Sequence, residues 1–225
     1  MKNPIKYSFK TEIWPLIIFL LAVCLSLWSF QYLPERVITH WNLAGKADGW
    51  SSREFTVIFF PSLLVAIYAI LTISPRFDPK SERYQEFSRV YLIIRAVVLL
   101  LLLIAFAIII FSNLGYKIDI GTIITIVISI VIIIIGNYMG KVKPNWILGI
   151  RTPWTLSSEN VWNKTHRLFS RLWVCVGICA LIVVWIKPSA AIIIFLAGVA
   201  GSSIYVCVYS YILYKNEKKG VNIQE

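Results

Sequence analysis

Residues 136–171 read GNYMGKVKPNWILGIRTPWTLSSENVWNKTHRLFSR, the longest polar interruption in a chain that is otherwise almost continuously apolar. Seven basic residues (Lys141, Lys143, Arg151, Lys164, His166, Arg167 and Arg171) stand there against one acid, Glu159, together with Trp146, Trp154 and Trp162. A simple link between two membrane helices needs neither that charge nor that tryptophan. On both sides the sequence passes into uninterrupted apolar runs, and those runs decide the fold class.

Toward the N-terminus the runs cover 120–139, 90–111, 55–74 and 13–33; toward the C-terminus they cover 168–186 and 190–214. A membrane-spanning helix needs roughly 20 apolar residues. The chain is 58% hydrophobic and 15% charged, with mean hydropathy +0.75, whereas a soluble domain carries about a quarter of its residues as charges. Lipid offers no hydrogen-bond partner, so each span must be a helix or part of a closed barrel. Long runs without strict alternation select helices. The expected fold is therefore all-α: a polytopic membrane protein with six transmembrane helices. Lys2, Lys6 and Lys10 precede the first run in the manner of a signal peptide. That run is long and ends in Trp28, Phe30 and Tyr32 rather than small residues, so a retained helix is expected.

Six spans put both termini on one side, and charge says which. The N-terminus, the second and fourth connectors and the tail hold sixteen Lys and Arg; the first, third and fifth connectors hold five. The positive-inside rule then puts both termini and the signature segment 141–167 in the cytoplasm, and loop 34–54 outside. Much of the net charge of +11 thus reflects topology and attraction to anionic lipid of the bilayer; direct nucleic-acid binding is not expected. The organisation reads as an N-terminal two-helix unit (1–74), a connector with the third helix (75–119), and a C-terminal unit (120–225). No internal repeat supports an inverted-repeat transporter.

Few residues suggest chemistry. Cys24, Cys175, Cys179 and Cys207 all fall in apolar runs and are expected as small buried hydrophobes. His40 and His166 are assigned to opposite faces of the membrane and cannot share a metal, so no metal site or cofactor is expected. No activated nucleophile or carboxylate pair appears, so no catalytic residue is assigned. Arg95 is the one charge inside a run; about a turn and a half from its cytoplasmic end, it is expected to snorkel, and no acid lies deep in any span. Gly136 and Gly140, four apart, mark close helix packing.

Two polar stretches remain. The outer one, LPERVITHWNLAGKADGW (33–50), has turn chemistry at Asn42–Gly45 and Lys46–Gly49 and reads as a compact loop with aromatic anchors. Its candidate ligand-facing residues are Pro34, His40, Trp41, Asn42, Gly45, Asp48, Gly49 and Trp50. In the inner one, Lys143-Pro144-Asn145 is a turn and Pro153 forces Thr152 to be extended. Ser157 is expected to cap a helix with Glu159 in its first turn. Val161, Trp162, Thr165, Leu168 and Phe169 then recur at helical spacing into the fifth span. Topology and amphipathicity do not explain the order Gly149-Ile150-Arg151-Thr152-Pro153-Trp154-Thr155-Leu156.

That order, followed by Val161-Trp162 and Thr165-His166-Arg167, resembles the signature of the SdpI family of bacterial membrane proteins. The outer stretch is similar to the short domain that often precedes it, with Leu-Pro, His-x-Asn, Gly and Asp-Gly-Trp in order. It departs at Ile38, where relatives usually carry a proline. The resemblance covers nearly the whole chain and implies a non-enzymatic immunity protein of the bacterial cell membrane. Such a protein would give resistance to a secreted peptide toxin and double as a receptor that holds a transcriptional repressor at the membrane. It would assign toxin contact to the outer loop. The inner signature would comprise Asn137, Gly140, Lys143, Pro144, Asn145, Gly149, Arg151, Thr152, Pro153, Trp154, Thr155, Leu156, Trp162, Thr165, His166 and Arg167. Two other readings compete: a small exporter of a peptide or amphiphile, and a membrane enzyme handling a phosphate with Arg151, His166 and Arg167.

Overall fold

The structure, a computed structural model, describes residues 3–42 and 45–220. Lys2, Leu43, Ala44 and the tail beyond Gly220, which entered the charge and loop readings, lie outside the described residues. The described elements are α1 (Phe9–Phe30), β1 (Arg36–Trp41), β2 (Ala47–Ser52), α2 (Arg53–Ile73), α3 (Tyr84–Asn113), α4 (Ile120–Met139), α5 (Pro153–Ser157), α6 (Glu159–Val184) and α7 (Pro188–Lys218), with single 3-10 turns at Ser74–Arg76 and Ser81–Arg83. All but α5 among the helices are long and apolar enough to cross a membrane, giving six candidate spans. The protein is an all-α, multi-pass membrane protein. Large apolar side chains such as Leu27, Ile58, Ile193 and Ile204 face outward, where only bilayer hydrocarbon can cover them.

Helix α1 packs on α2 and α3, and α4 packs on α6 and α7; α3 also touches α4. Prolines inside the first two helices help explain the first group. A proline lacks an N–H, so the carbonyl four residues before it loses its helical partner, which is costly in lipid. Pro61 in α2 thereby frees the carbonyl of Val57, and the hydroxyl of Ser26 in α1 donates to it at 2.9 Å. Pro15 likewise frees the carbonyl of Thr11, which lies 3.5 Å from Nη2 of Arg95 in α3. In the second group, small residues permit close approach. A Cβ on Gly136 of α4 would lie 3.1 Å from that of Trp173, and one on Gly177 of α6 would lie 2.9 Å from the carbonyl of Ser129. Gly136 and Gly140 therefore pack against α6, as their spacing implies.

Side-chain caps start several helices. Ser52 accepts from the N–H of Phe55, Asp119 from that of Thr122, and Ser158 from that of Val161. The hydroxyl and N–H of Thr122 hold the Asp119 carboxyl below the usual carboxylate range. The helix leading into the fifth span is thus capped by Ser158 rather than Ser157. Pro153 and the Thr152–Thr155 capping box start a separate short turn that ends at Ser157, and the chain must extend at Ser158 before α6 begins.

Three further expectations are corrected. The outer stretch is an antiparallel β-hairpin rather than a loop, pairing Arg36 with Ser52, Val37 with Ser51 and Ile38 with Trp50, with irregularities on either side of His40. Its β-branched and aromatic residues suit a pleated, half-buried surface. Arg95 does not snorkel; it is buried, and its guanidinium bonds Glu12 at 2.7 Å and Thr72 at 3.0 Å. Helix α1 begins at Phe9, four residues before the apolar run, and so carries Glu12 into the bundle. Tyr68 donates to the same carboxylate at 2.8 Å, and the rings of Tyr7 and Tyr68 lie 5.1 and 5.2 Å from the guanidinium carbon. Finally, the four cysteines are exposed rather than buried, because they lie on helix faces that meet lipid instead of other helices.

Candidate functional site

Alternation of spans brings two polar assemblies to opposite ends of the bundle, the hairpin between α1 and α2 and segment 141–167 between α4 and α6. His40 and His166 are thereby kept at opposite ends.

Segment 141–167 is a folded plug, pinned by side chains that satisfy backbone groups no regular helix can. Asn145 is fully buried. Its carboxamide oxygen accepts from the N–H groups of Ile147 (2.9 Å) and Leu148 (2.6 Å), and its amide donates to the carbonyls of Lys143 (2.8 Å) and Leu148 (2.9 Å). Asp78, from the connector before α3, is buried too; it accepts from the N–H of Trp146 at 2.8 Å, of Lys80 at 2.7 Å and from the hydroxyl of Tyr84 at 2.8 Å. Sequence reasoning missed Asp78. Its signal was an acid placed just before Pro79 in a connector otherwise rich in base, but nothing in the sequence joins it to residue 146.

Gly149, His166 and Trp162 form the centre. Gly149 has φ +117°, a region that L side chains rarely adopt, and a Cβ there would lie 2.5 Å from Nε2 of His166. The N–H of Ile150 donates to that nitrogen at 3.0 Å, and Nδ1 lies 2.9 Å from the carbonyl of Trp162. An N–H can only donate and a carbonyl only accept, so the ring is neutral with its proton on Nδ1. Trp162 stacks on the imidazole with centroids 4.0 Å apart, and its indole N–H donates to the carbonyl of Val142 at 2.7 Å. Trp162, Thr165 and His166 are fully buried. With both ring nitrogens committed to backbone, His166 is shaped to hold structure rather than to transfer protons or grip phosphate.

The remaining signature residues divide by exposure. Thr155 is buried and reaches the carbonyl of Ile150 at 2.8 Å. Thr152 meets Ser210 of α7 at 3.1 Å, and the ring of Trp154 lies 5.1 Å from that of Tyr211. Pro144 is buried, whereas Lys143, Gly140, Gly149 and Leu156 are half-buried. Asn137, Trp146, Arg151, Pro153 and Arg167 are exposed. Arg151 donates from Nη1 to the backbone carbonyl of Trp146, which ties the guanidinium to this stretch at the surface. Arg83 of the turn before α3 pairs with Glu159 at the start of α6, and Ser158 bonds Glu217 of α7 at 2.8 Å. A cleft of about 400 Å³ opens beside these links, lined by Lys80, Arg83, Pro144, Leu156 and Glu159 among others.

One side chain of α3 clamps the hairpin to the bundle. Asn113, at the end of α3, accepts from the N–H of Ile38 at 2.8 Å and donates to its carbonyl at 2.9 Å, as a neighbouring strand would. Val37 is fully buried below. Pro34, His40, Asn42, Gly45, Asp48 and Trp50 are exposed, and Trp41 and Gly49 are half-buried. His40 bonds Asp48 at 2.5 Å, and Arg36 lies over the ring of Trp50 at 4.8 Å. The outer candidates therefore lie on or beside one hairpin, most of them exposed, while the inner ones split into a buried skeleton and an exposed fringe.

Comparison with known proteins agrees with this arrangement. Residues 141–210 match the SdpI/YfhL protein family, and residues 17–65 match a domain of unknown function, DUF1648. The first match takes in the plug with α6 and most of α7; the second takes in the hairpin with most of α1 and of α2. The chain is a multi-pass membrane protein that carries an SdpI/YfhL-like segment, with a DUF1648-like unit before it. Among individual proteins it is similar to Immunity protein SdpI of Bacillus subtilis (strain 168), with 29% identity over 206 residues, 88% of this chain and 95% of that protein. That relative is an immunity protein by name. No solved structure matches the chain.

Proposed function

We propose that this chain is an immunity protein of the bacterial cytoplasmic membrane, which protects its cell from a secreted peptide toxin and can hold a transcriptional repressor at the inner face. The observation that carries the reading is similarity to Immunity protein SdpI over nearly the full length of both chains, which reaches both ends of the bundle. The charge asymmetry directs the hairpin outward and the plug inward. A peptide arriving from outside would first meet Trp50, His40 and Asp48. These groups combine apolar area with hydrogen bonding on a surface fixed to α3 through Asn113. On the inner side, Trp146 and Arg151 present the residue types that most often anchor protein interfaces, and Pro144 and Leu156 of the same segment line the cleft at Lys80.

Deletion of the chain tests the reading. Cells lacking it are expected to be killed by spent medium of their own parent strain, with killing abolished when that medium is treated with protease and prevented when the chain is restored. Equal survival of deleted and parent cells would refute toxin immunity. Retained protection with a repressor that stays soluble would refute only the inner half.

A further inference from the structure

We propose that an apolar crevice beneath the hairpin, between α3 and α4, holds one acyl chain of a membrane phospholipid, with its headgroup at the edge formed by Thr39, His40 and Trp41. This goes beyond the immunity reading and does not rest on it.

The crevice measures about 440 Å³. Its walls are aliphatic, with Leu101, Ala105 and Ile108 from α3 and Ile124, Val127 and Ile128 from α4, and its upper edge is the β1 stretch Thr39–Trp41. Packing creates it. Helix α3 packs chiefly on α1 and α2, and helix α4 chiefly on α6, so neither gives its main face to the other although only the short stretch 114–119 joins them. Buried water needs two to four polar partners, and these walls supply none. Between two membrane helices the material at hand is hydrocarbon, and the dimensions fit one chain. Along α3 the lining runs from Leu101 to Ile109, about 12 Å at a rise of roughly 1.5 Å per residue, most of the ~15 Å of hydrocarbon in one leaflet. At the upper edge a hydroxyl, an imidazole and an indole stand where a headgroup would be; indoles favour that depth. A chain seated there would fill the seam between the two helix groups and link the hairpin to α4, the helix that runs on into the plug.

The test uses the full chain in vesicles of phosphatidylethanolamine and phosphatidylglycerol that include phosphatidylglycerol with a photoactivatable diazirine midway along one acyl chain. After illumination, adducts are mapped by peptide mass spectrometry. Adducts on the crevice residues are expected to exceed, several-fold, those on outward residues of α7 such as Ile193 and Ile204. Ala105→Phe is expected to remove most of that excess, and Ile204→Phe to leave it. If Ala105→Phe does not fold, Val127→Phe from the opposite wall serves the same purpose, and the unmodified chain's adduct distribution stands as its own test. Adducts spread evenly over all lipid-facing helices would overturn the proposal. So would a crevice labelled only by an added apolar peptide and not by lipid, which would reassign it to a peptide segment.

Discussion

Gly149 runs so close to the imidazole of His166 that a Cβ on it would lie 2.5 Å from Nε2. The contact unites two residues seventeen apart in the signature and explains why each is what it is. The glycine supplies a backbone conformation that other residues resist. The histidine then offers an acceptor to Ile150 and a donor to Trp162, and Trp162 covers the ring. The residues that first suggested chemistry instead build the knot on which the inner surface is mounted.

Gly149→Ala is therefore expected to destabilise the protein by at least about 2 kcal/mol, since positive φ alone costs roughly 1–3 kcal/mol for an L residue and the clash adds to it. His166→Phe keeps the stacking partner but strands the N–H of Ile150, a loss of about 1–3 kcal/mol. Thermal melting of the purified variants in detergent checks both. Trp146→Ala, which removes an exposed indole, should melt with the parent; a large drop there would show that the exposed fringe is structural as well.

Ser26 and Pro61 should be energetically coupled. Ser26→Ala leaves the carbonyl of Val57 without a partner and is expected to cost about 0.6–1.7 kcal/mol, the range of interhelical hydrogen bonds in membranes. In a Pro61→Ala background the helix supplies its own N–H to that carbonyl, so the same substitution should cost close to nothing. A double-mutant cycle by melting measures the difference, and equal costs in both backgrounds would contradict the assignment.

The Arg95–Glu12 pair makes a sharper prediction. Arg95→Met leaves a carboxylate inside the bundle without its cation and should cost about 3–5 kcal/mol. The double variant Arg95→Met with Glu12→Gln should recover most of that loss. If the single and double variants melt alike, the pair is not coupled.

Asn113→Ala removes both bonds to Ile38 and should release the hairpin without unfolding the helices. Hydrogen exchange at the amides of β1 and β2 is expected to speed up markedly, while the α4–α6 interface stays protected. Unchanged exchange in the hairpin would mean that Val37 alone holds it.

Much of this architecture is legible in the sequence, because hydrophobic length is a strong signal and the spans depend on it. The run 120–139 coincides with α4, and the extended Thr152 follows from Pro153. What escaped has physical reasons. The end of α1 that carries Glu12 lies outside the apolar run, so the partner of Arg95 was invisible to a count of intramembrane charge. The hairpin's strands are only six residues each, and β1 is held to the bundle by Asn113, 75 residues from Ile38. Asp78 meets the N–H of Trp146 across 68 residues, a distance over which periodicity says nothing. Within segment 141–167, the sequence did not tell which members are buried and which are exposed.

The central claim is that protection depends on the outward hairpin carried by an intact bundle. Its most direct measurement is survival of chain-deleted cells in parental spent medium when they are complemented with Trp50→Ala or with Asp48→Asn. Membrane level and melting temperature would be matched to the parent chain. The account predicts that protection falls at least several-fold for both variants although the bundle is unchanged. Full protection from chains altered at both positions would contradict it.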